Sequence, residues 1–237
     1  MHVMITDIVR PHTVAEAVRA KSAPDAAWLG GGTWLNSGKA PAVRTLISLE
    51  RLGLASIGVA SGRCSVGAMA TFQDIADAVG VPPALRDAVK LTASRTLRNM
   101  VTLGGELGLG PKDSAVIPVL LALDAEVSVA GRRKPLPIRS FLDEGKAVLI
   151  LGVVVPTTVP AAMRAVSRTS HGPRSLVVAV GGPRVVASDC QGQLALVEDL
   201  KAFAPRPDMH APAAYKRYML GVLVEELRSE LSGEASR

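Results

Sequence analysis

Two glycine clusters constrain the fold of this chain more than any other feature of its sequence. The first, Gly30–Gly32, follows the apolar run AAWL and lies between Trp28 and Trp34, the two tryptophans of the chain. The second, Gly104–Gly105, lies within TLGGE. Glycine loses more conformational entropy on folding than other residues, so such runs indicate unusual backbone dihedrals or a very close approach to the backbone. The chain must therefore turn tightly after two separate apolar segments.

The commonest nucleotide-binding and catalytic motifs are missing from the sequence. There is no G-x-x-x-x-G-K-[ST], and Gly108-x-Gly110 is followed by Pro-Lys-Asp, which breaks the dinucleotide pattern G-x-G-x-x-G. Only about ten residues separate the triple glycine from the next predicted strand, too few for the crossover helix of a βαβ unit. The four histidines are dispersed and no G-x-S-x-G motif occurs, which disfavours a self-contained metalloenzyme or hydrolase.

A pair of glycine clusters favours an anion site built from the backbone. Successive amide N–H groups in glycine turns bind oxyanions, because no Cβ obstructs them. A diphosphate needs several such donors, and two converging loops would supply them without lysine or arginine. On this hypothesis a side chain added at Gly31 or Gly104 would occupy the space of the diphosphate. Two ordinary tight turns are the alternative.

Composition indicates a globular protein outside the nucleic-acid and membrane classes. Hydrophobic residues make up 48% of the chain, and its longest apolar run, 147–156, has the length of a strand rather than of a membrane span. The net charge of +6 comes from scattered basic residues, and the 3% of aromatic residues offer few stacking surfaces for bases. Cys64 and Cys190 provide neither a disulfide framework nor the ligands of an iron–sulfur cluster. The N-terminal residues lack a signal pattern, so we expect a cytoplasmic protein.

Hydrophobic periodicity predicts a mixture of strands and helices. Thr13 with Glu16 has capping-box spacing, and Thr71 is placed with Asp74 to cap a second helix. A hairpin is predicted over 56–69, with its turn at Ser61-Gly62. Near the end of the chain, a helix over 213–231 is expected to bury one face and to end at Gly233. That face consists of Tyr215, Met219, Val222, Leu223, Leu227 and Leu231.

Together these segments resemble the FAD-binding subunit of the molybdenum hydroxylases, the family that includes the flavin subunits of xanthine dehydrogenase and carbon monoxide dehydrogenase. The matching motifs occur in the family's order over most of the chain, and their combination is specific although each alone is not. The likeness is greatest to a short subgroup of oxidoreductase flavin subunits. The motifs are LGGGTWL (29–35), LISL (46–49), VGAMAT (66–71), RNMVTLGGEL (98–107), VIPVLLALDAEV (116–127) and the tail AAYKRYMLGVLV.

The resemblance implies a fold of both α/β and α+β class. Its first part would be a vanillyl-alcohol-oxidase-like (PCMH-type) FAD-binding domain made of two subdomains, residues 1–54 and 55–157. A small α+β domain like that of the carbon monoxide dehydrogenase flavoprotein would follow over residues 158–237, shorter than in typical relatives. The boundary near Pro156–Pro160 agrees with this division.

The resemblance also assigns site residues. Arg98 and Asn99 match a pair that leads into the second FAD loop, and Arg164 falls where relatives carry a basic residue beside the flavin ring. Two positions depart from the family: Glu106 replaces a usual Asn, and Ala115 replaces an Asp that binds the flavin's sugar chain. The two loops match Gly30, Gly31, Gly32, Thr33 and Trp34, and then Thr102, Leu103, Gly104, Gly105 and Glu106.

The implied function is electron transfer by an oxidoreductase flavoprotein that works within a hetero-oligomer. One partner subunit would hold a molybdenum cofactor and a second would hold two [2Fe–2S] clusters, whose electrons pass through FAD to NAD⁺ or another acceptor. No catalytic side chain is expected in the chain, since the cofactor performs the chemistry. The alternative is a flavin-fold protein that has lost FAD and acts as a scaffold, which Ala115 and the shortened C-terminal region favour and the intact glycine loops oppose.

Overall fold

The strands of the protein form three sheets, of three, five and four strands. Each sheet takes its strands from one of the three predicted segments. The division into domains stays a prediction, because one hydrophobic core joins the second segment to Met163, Val177 and Val186 of the third. The computed structural model describes residues 5–37, 43–92, 94–144, 148–169, 172–197 and 202–233.

The first sheet is parallel, in the order β1-β3-β2. The Thr13 hydroxyl accepts a hydrogen bond from the amide of Glu16 (3.2 Å), as predicted, and α1 begins there. The Glu16 carboxylate reaches back to accept from the amide of His12 (2.9 Å), one residue before the N-cap. The elements are β1 (Asp7–Val9), α1 (Val14–Ala20), β2 (Ala26–Leu29), a 3₁₀ turn (Leu35–Ser37), β3 (Thr45–Ser48) and a second 3₁₀ turn (Glu50–Leu52).

The second sheet is antiparallel, in the order β4-β5-β8-β6-β7. The predicted hairpin is confirmed: Ser61 (φ 50°) and Gly62 (φ 73°) form a turn with two left-handed residues. The predicted cap is confirmed as a full capping box between Thr71 and Asp74. The strands are β4 (Ile57–Ala60), β5 (Arg63–Gly67), β6 (Glu126–Val129), β7 (Leu136–Pro137) and β8 (Ile150–Pro156), and the helices are α2 (Phe72–Asp77), α3 (Pro83–Thr92), α4 (Arg95–Arg98), α5 (Leu103–Leu109), α6 (Val116–Ala122) and α7 (Ile138–Glu144).

The third sheet is antiparallel, in the order β12-β11-β10-β9, and the C-terminal helix α8 packs on β9 and β10. Gly233 (φ 76°) ends α8, as predicted. The predicted inner face was partly wrong, because Tyr215 and Val222 are 44% and 39% exposed while Lys216 is buried with Leu220 and Val224. The elements are β9 (Ala161–Ser167), β10 (Arg174–Gly181), β11 (Arg184–Ser188), β12 (Leu194–Leu196) and α8 (Ala213–Ser232).

Helix α6 lies at the centre of the molecule. All seven of its residues are buried, and it contacts α3 on one side and β10 and β11 on the other. Its apolar sequence, VIPVLLA, suits a helix that is surrounded by protein. Among the helices of the described ranges, none has the length and apolar character that crossing a membrane requires.

Lys216 joins α8 to the irregular segment in front of it. Its ammonium group donates to the carbonyl oxygens of Asp189 (2.9 Å) and Arg206 (2.8 Å) and pairs with the carboxylate of Asp208 at 2.8 Å. Burial alone would raise the pKa of Asp208. The hydrogen bonds from Lys216, the amides of His210 and Ala211, and the Ser175 hydroxyl outweigh that effect and lower the pKa from 3.8 to about 2.

We expect this carboxylate to stabilise the folded protein above pH 4 and to lose that effect as the pH falls from about 4 to about 2. The sign follows because its folded pKa lies below its unfolded pKa, so acid protonates the unfolded chain first. Asp208→Asn should therefore lower the free energy of unfolding by about 2 kcal/mol at pH 7 and by almost nothing at pH 2. Urea titrations at several pH values measure this difference.

The matched control is Asp143→Asn, since that carboxylate is 72% exposed and makes only a long ion pair with Arg139, at 3.9 Å. Its effect should stay below about 0.5 kcal/mol at every pH. An effect of Asp208→Asn that does not change with pH would show that the charge of Asp208 is not what stabilises the fold.

Candidate functional site

The structure places the first glycine cluster against the segment that leads into the second. A Cβ added to Gly30 would lie 2.9 Å from the Thr102 hydroxyl oxygen, and one added to Gly31 would overlap the carbonyl oxygen of Met100. The Met69 side chain lies beside Gly30 as well. Three segments therefore meet here: the end of β2, the end of β5 and the start of α5.

The first glycine loop has a defined shape. The Leu29 carbonyl still accepts from the amide of Leu49 (3.2 Å), and the chain then leaves the sheet. Gly32 adopts φ 72°, and its carbonyl accepts from the amide of Asn36 (3.0 Å). The Trp34 carbonyl accepts from both the amide (3.0 Å) and the hydroxyl (2.7 Å) of Ser37. These bonds fix the loop through its carbonyl groups.

The N–H groups of the same loop remain without acceptors. In the part of the chain that the structure describes, no backbone amide of residues 30–34 donates a hydrogen bond to a protein group. Backbone N–H groups nearly always find an acceptor unless they face solvent or a ligand. Successive free N–H groups of a glycine-rich turn are the donors that a backbone oxyanion site uses. The loop therefore has free donors where the sequence predicts an anion site, and the site itself stays a prediction.

The second glycine cluster plays a different part. Its amides are already bonded: Leu103 donates to the Ala70 carbonyl (3.0 Å), Gly104 to the Ala68 carbonyl (2.8 Å) and Gly105 to the Thr102 hydroxyl (3.2 Å). Because these glycines form the first turn of α5, their amides already have protein acceptors, and the assignment of the second loop to FAD stays a prediction. A Cβ on Gly104 would lie 2.8 Å from the Cβ of Ala68, so close packing on β5 requires this glycine.

The two residues that depart from the family pattern, Glu106 and Ala115, are both buried. Glu106 is 6% exposed, and its carboxylate accepts a hydrogen bond from the Ser114 hydroxyl (2.6 Å). The same hydroxyl oxygen accepts from the amides of Val116 (3.2 Å) and Ile117 (3.1 Å) at the start of α6. Ala115 is fully buried. Glu106 thus connects α5 with α6.

Arg164 binds the C-terminal helix. Its guanidinium group pairs with the carboxylates of Glu226 (3.2 Å) and Glu230 (2.6 Å) on α8, and it also donates to the carbonyl of Met163 (3.0 Å). These contacts join β9 to α8. Its placement beside a flavin ring stays a prediction.

Sequence reasoning missed Arg174, which holds the loop between α5 and α6. Its guanidinium group donates to the Asp113 carbonyl (2.9 and 2.7 Å) and to the Leu91 carbonyl at the end of α3 (2.8 Å). With only 12% of its side chain exposed, it connects the third sheet to two elements of the second segment. Nothing in the local sequence of β10 signals this role. A cleft of about 210 Å³ beside this loop is lined by Lys112, Ser114, Ser188 and Gln193 among others.

Metal and thiol chemistry receive no support from the described residues. Within the described ranges, no group of three or more His, Cys, Asp or Glu side chains is arranged to hold a metal ion. Cys64 and Cys190 are free and buried, and burial raises the pKa of the Cys190 thiol to about 12. Neither is therefore an activated nucleophile.

Comparison with known proteins identifies the same region. Residues 4–158 match the family described as the FAD binding domain in molybdopterin dehydrogenase. The chain is 31% identical over 251 aligned residues to "Uncharacterized protein YgfM" of Escherichia coli strain K12, an alignment that covers 96% of each chain. Both glycine loops lie within the matched family region.

Solved structures share the fold at lower identity. Quinoline 2-oxidoreductase from Pseudomonas putida 86 matches with a TM-score of 0.85 and 17% identity over 100% of each chain. Carbon monoxide dehydrogenase from Hydrogenophaga pseudoflava, in a form lacking the Mo-pyranopterin moiety of its molybdenum cofactor, matches with a TM-score of 0.82 and 20% identity over 97% of this chain and 98% of that one. These likenesses confirm the predicted fold class.

We expect Gly31→Ala to destabilise the protein whether or not a ligand is present. The added methyl group would overlap the Met100 carbonyl, so the two loops would have to separate. A loss of about 2–4 kcal/mol in the free energy of unfolding, measured by urea titration of ligand-free protein, would match the cost of overpacking a close contact.

Gly221→Ala is the matched control, because a Cβ at that position in α8 meets no atom within 4 Å. It should leave stability unchanged or raise it by up to about 1 kcal/mol. If Gly31→Ala kept wild-type stability but failed to bind FAD, the glycine would be making room for a ligand and not for Met100.

Proposed function

The chain belongs to the family of FAD binding domains of molybdopterin dehydrogenases, and we propose that it serves as the electron-transfer subunit of a molybdenum hydroxylase. Its cofactor is FAD. In the proposed complex, electrons pass from the [2Fe–2S] clusters of a partner through the flavin to NAD⁺ or another acceptor. The chain itself would hold the cofactor between these two electron-transfer steps.

One observation carries the proposal: the row of unpaired amides at residues 30–34. FAD contains a diphosphate with several anionic oxygens, and backbone N–H groups are well suited to bind them. Thr33 belongs to the same row, and its hydroxyl is a further potential donor. The residues of this loop therefore fit the cofactor.

The rest of the site supports the loop without contributing charge. Gly30 and Gly31 lie against Thr102 and Met100, and the hydrogen bond from the Asn36 amide to the Gly32 carbonyl fixes the other end of the loop. A loop that is already shaped loses little entropy when a ligand binds, which favours affinity. Leu103, Gly104, Gly105 and Glu106 belong to this support.

FAD supplies one- and two-electron chemistry when it is bound, and the protein sets its position and surroundings. The described residues offer no activated thiol and no cluster of metal ligands that would suggest a second chemistry. The net charge of +6 favours association with anionic cofactors and acidic partners. A molybdenum-cofactor subunit and an iron–sulfur subunit are the proposed partners.

We expect the purified protein to be yellow with equimolar FAD, or to become so when FAD is added. Thr33→Val keeps the volume of the side chain and removes its hydroxyl, so the affinity for FAD should fall about threefold to tenfold, the effect of one hydrogen bond. Flavin absorbance after gel filtration and titration of the ligand-free protein measure both quantities.

Thr158→Val, at an exposed position outside the loops, should leave the affinity unchanged. Protein that remains colourless and whose melting temperature does not shift with FAD would contradict the proposal and favour the scaffold alternative.

The electron route predicts two further results. The protein isolated from its native host should carry molybdenum and iron in the same gel-filtration peak as the flavin, and metal analysis of that peak measures this.

Under anaerobic conditions NADH should bleach the flavin if NAD⁺ is the acceptor, while an unbleached flavin would direct the search to quinones or oxygen. A flavin peak free of both metals would contradict the proposed complex.

A further inference from the structure

Trp34 is placed unusually for a tryptophan. Its side chain is 37% exposed, in a chain with only 3% aromatic residues. The other tryptophan, Trp28, packs against the apolar cluster that includes Ala26 and Ile47, as Met69 and Leu151 also do. An exposed indole leaves a large apolar surface in water, so its position calls for an explanation.

The backbone that carries Trp34 is fixed. Its carbonyl oxygen accepts two hydrogen bonds from Ser37, and the bond from Asn36 to Gly32 closes the turn around it. The position of the Trp34 backbone, the last residue in the row of unpaired amides, is therefore defined. Part of its side chain is exposed, so a ligand bound on the loop could contact it.

A second apolar side chain is exposed close by. Met100 is 44% exposed, and its carbonyl oxygen touches Gly31 in the middle of the same loop. The site therefore combines a row of anion-binding amides with two exposed apolar side chains. A ligand that carries an anionic diphosphate next to a flat ring would satisfy both features.

We infer that Trp34 stacks on the adenine ring of FAD. The inference rests on the proposed function, since it requires the diphosphate to lie on residues 30–34. Of the two ring systems of FAD, adenine is separated from the diphosphate by a single sugar, whereas the isoalloxazine is separated by a longer ribityl chain. A side chain at the end of the amide row therefore reaches the adenine side first. An indole stacked on a base is a strong contact.

The test compares Trp34→Leu and Trp34→Phe with Trp28→Phe in titrations of ligand-free protein. Trp34→Leu keeps an apolar side chain without a π-face, and its affinity for FAD should fall about tenfold. Trp34→Phe should keep most of the affinity, and Trp28→Phe should not change it. Because Trp34 is exposed, thermal unfolding of the ligand-free variants should match the wild type.

Competition by fragments of FAD identifies which ring is stacked. ADP should displace FAD from the wild-type protein, and Trp34→Leu should weaken ADP about as much as it weakens FAD. FMN, which lacks the adenosine half, should bind the wild type and Trp34→Leu with the same affinity.

ADP that fails to compete, or FMN weakened as much as FAD, would overturn the stacking on adenine while leaving FAD binding intact. Failure of the wild-type protein to bind FAD at all would instead contradict the proposed function.

Discussion

The contact between the first glycine loop and the segment before α5 is the interaction on which the site depends. Gly31 lies so close to the Met100 carbonyl that no other side chain fits, and Gly30 lies against the Thr102 hydroxyl. The first sheet joins the rest of the protein through this contact and through a small apolar cluster that includes Ile47, Leu49 and Leu149. The loop therefore takes its position from residues far along the chain.

The two glycine clusters have different roles in the structure, although their sequences look alike. Both clusters are glycine-rich and both follow apolar runs, yet one keeps its N–H groups free and the other uses them within the protein. Helix α5 begins at Leu103, so the carbonyl of Ala68, just after β5, accepts from the amide of Gly104 and the capping hydroxyl of Thr102 accepts from that of Gly105. The glycines of the first loop allow close approach, and its amides stay available because the chain there is neither helix nor strand.

Local signals in the sequence predicted much of the fold. The capping box at Thr71 and Asp74, the turn at Ser61-Gly62 and the end of α8 at Gly233 each depend on residues that are neighbours in the chain. What could not be predicted depends on distant partners. Lys216 resembles a solvent-facing residue of an amphipathic helix until Asp189, Arg206 and Asp208 surround its ammonium group.

The family motifs predict a site at the glycine loops, but only the fold shows where the two residues that depart from the family lie. Glu106 and Ala115 suggested a weakened flavin site when considered as sequence positions. Both are buried, and the Glu106 carboxylate binds the hydroxyl that caps α6. A buried carboxylate needs such a partner, since an unpaired one would be costly. Both side chains therefore belong to the junction between α5 and α6, and the weakening of the flavin site that they suggested stays a prediction.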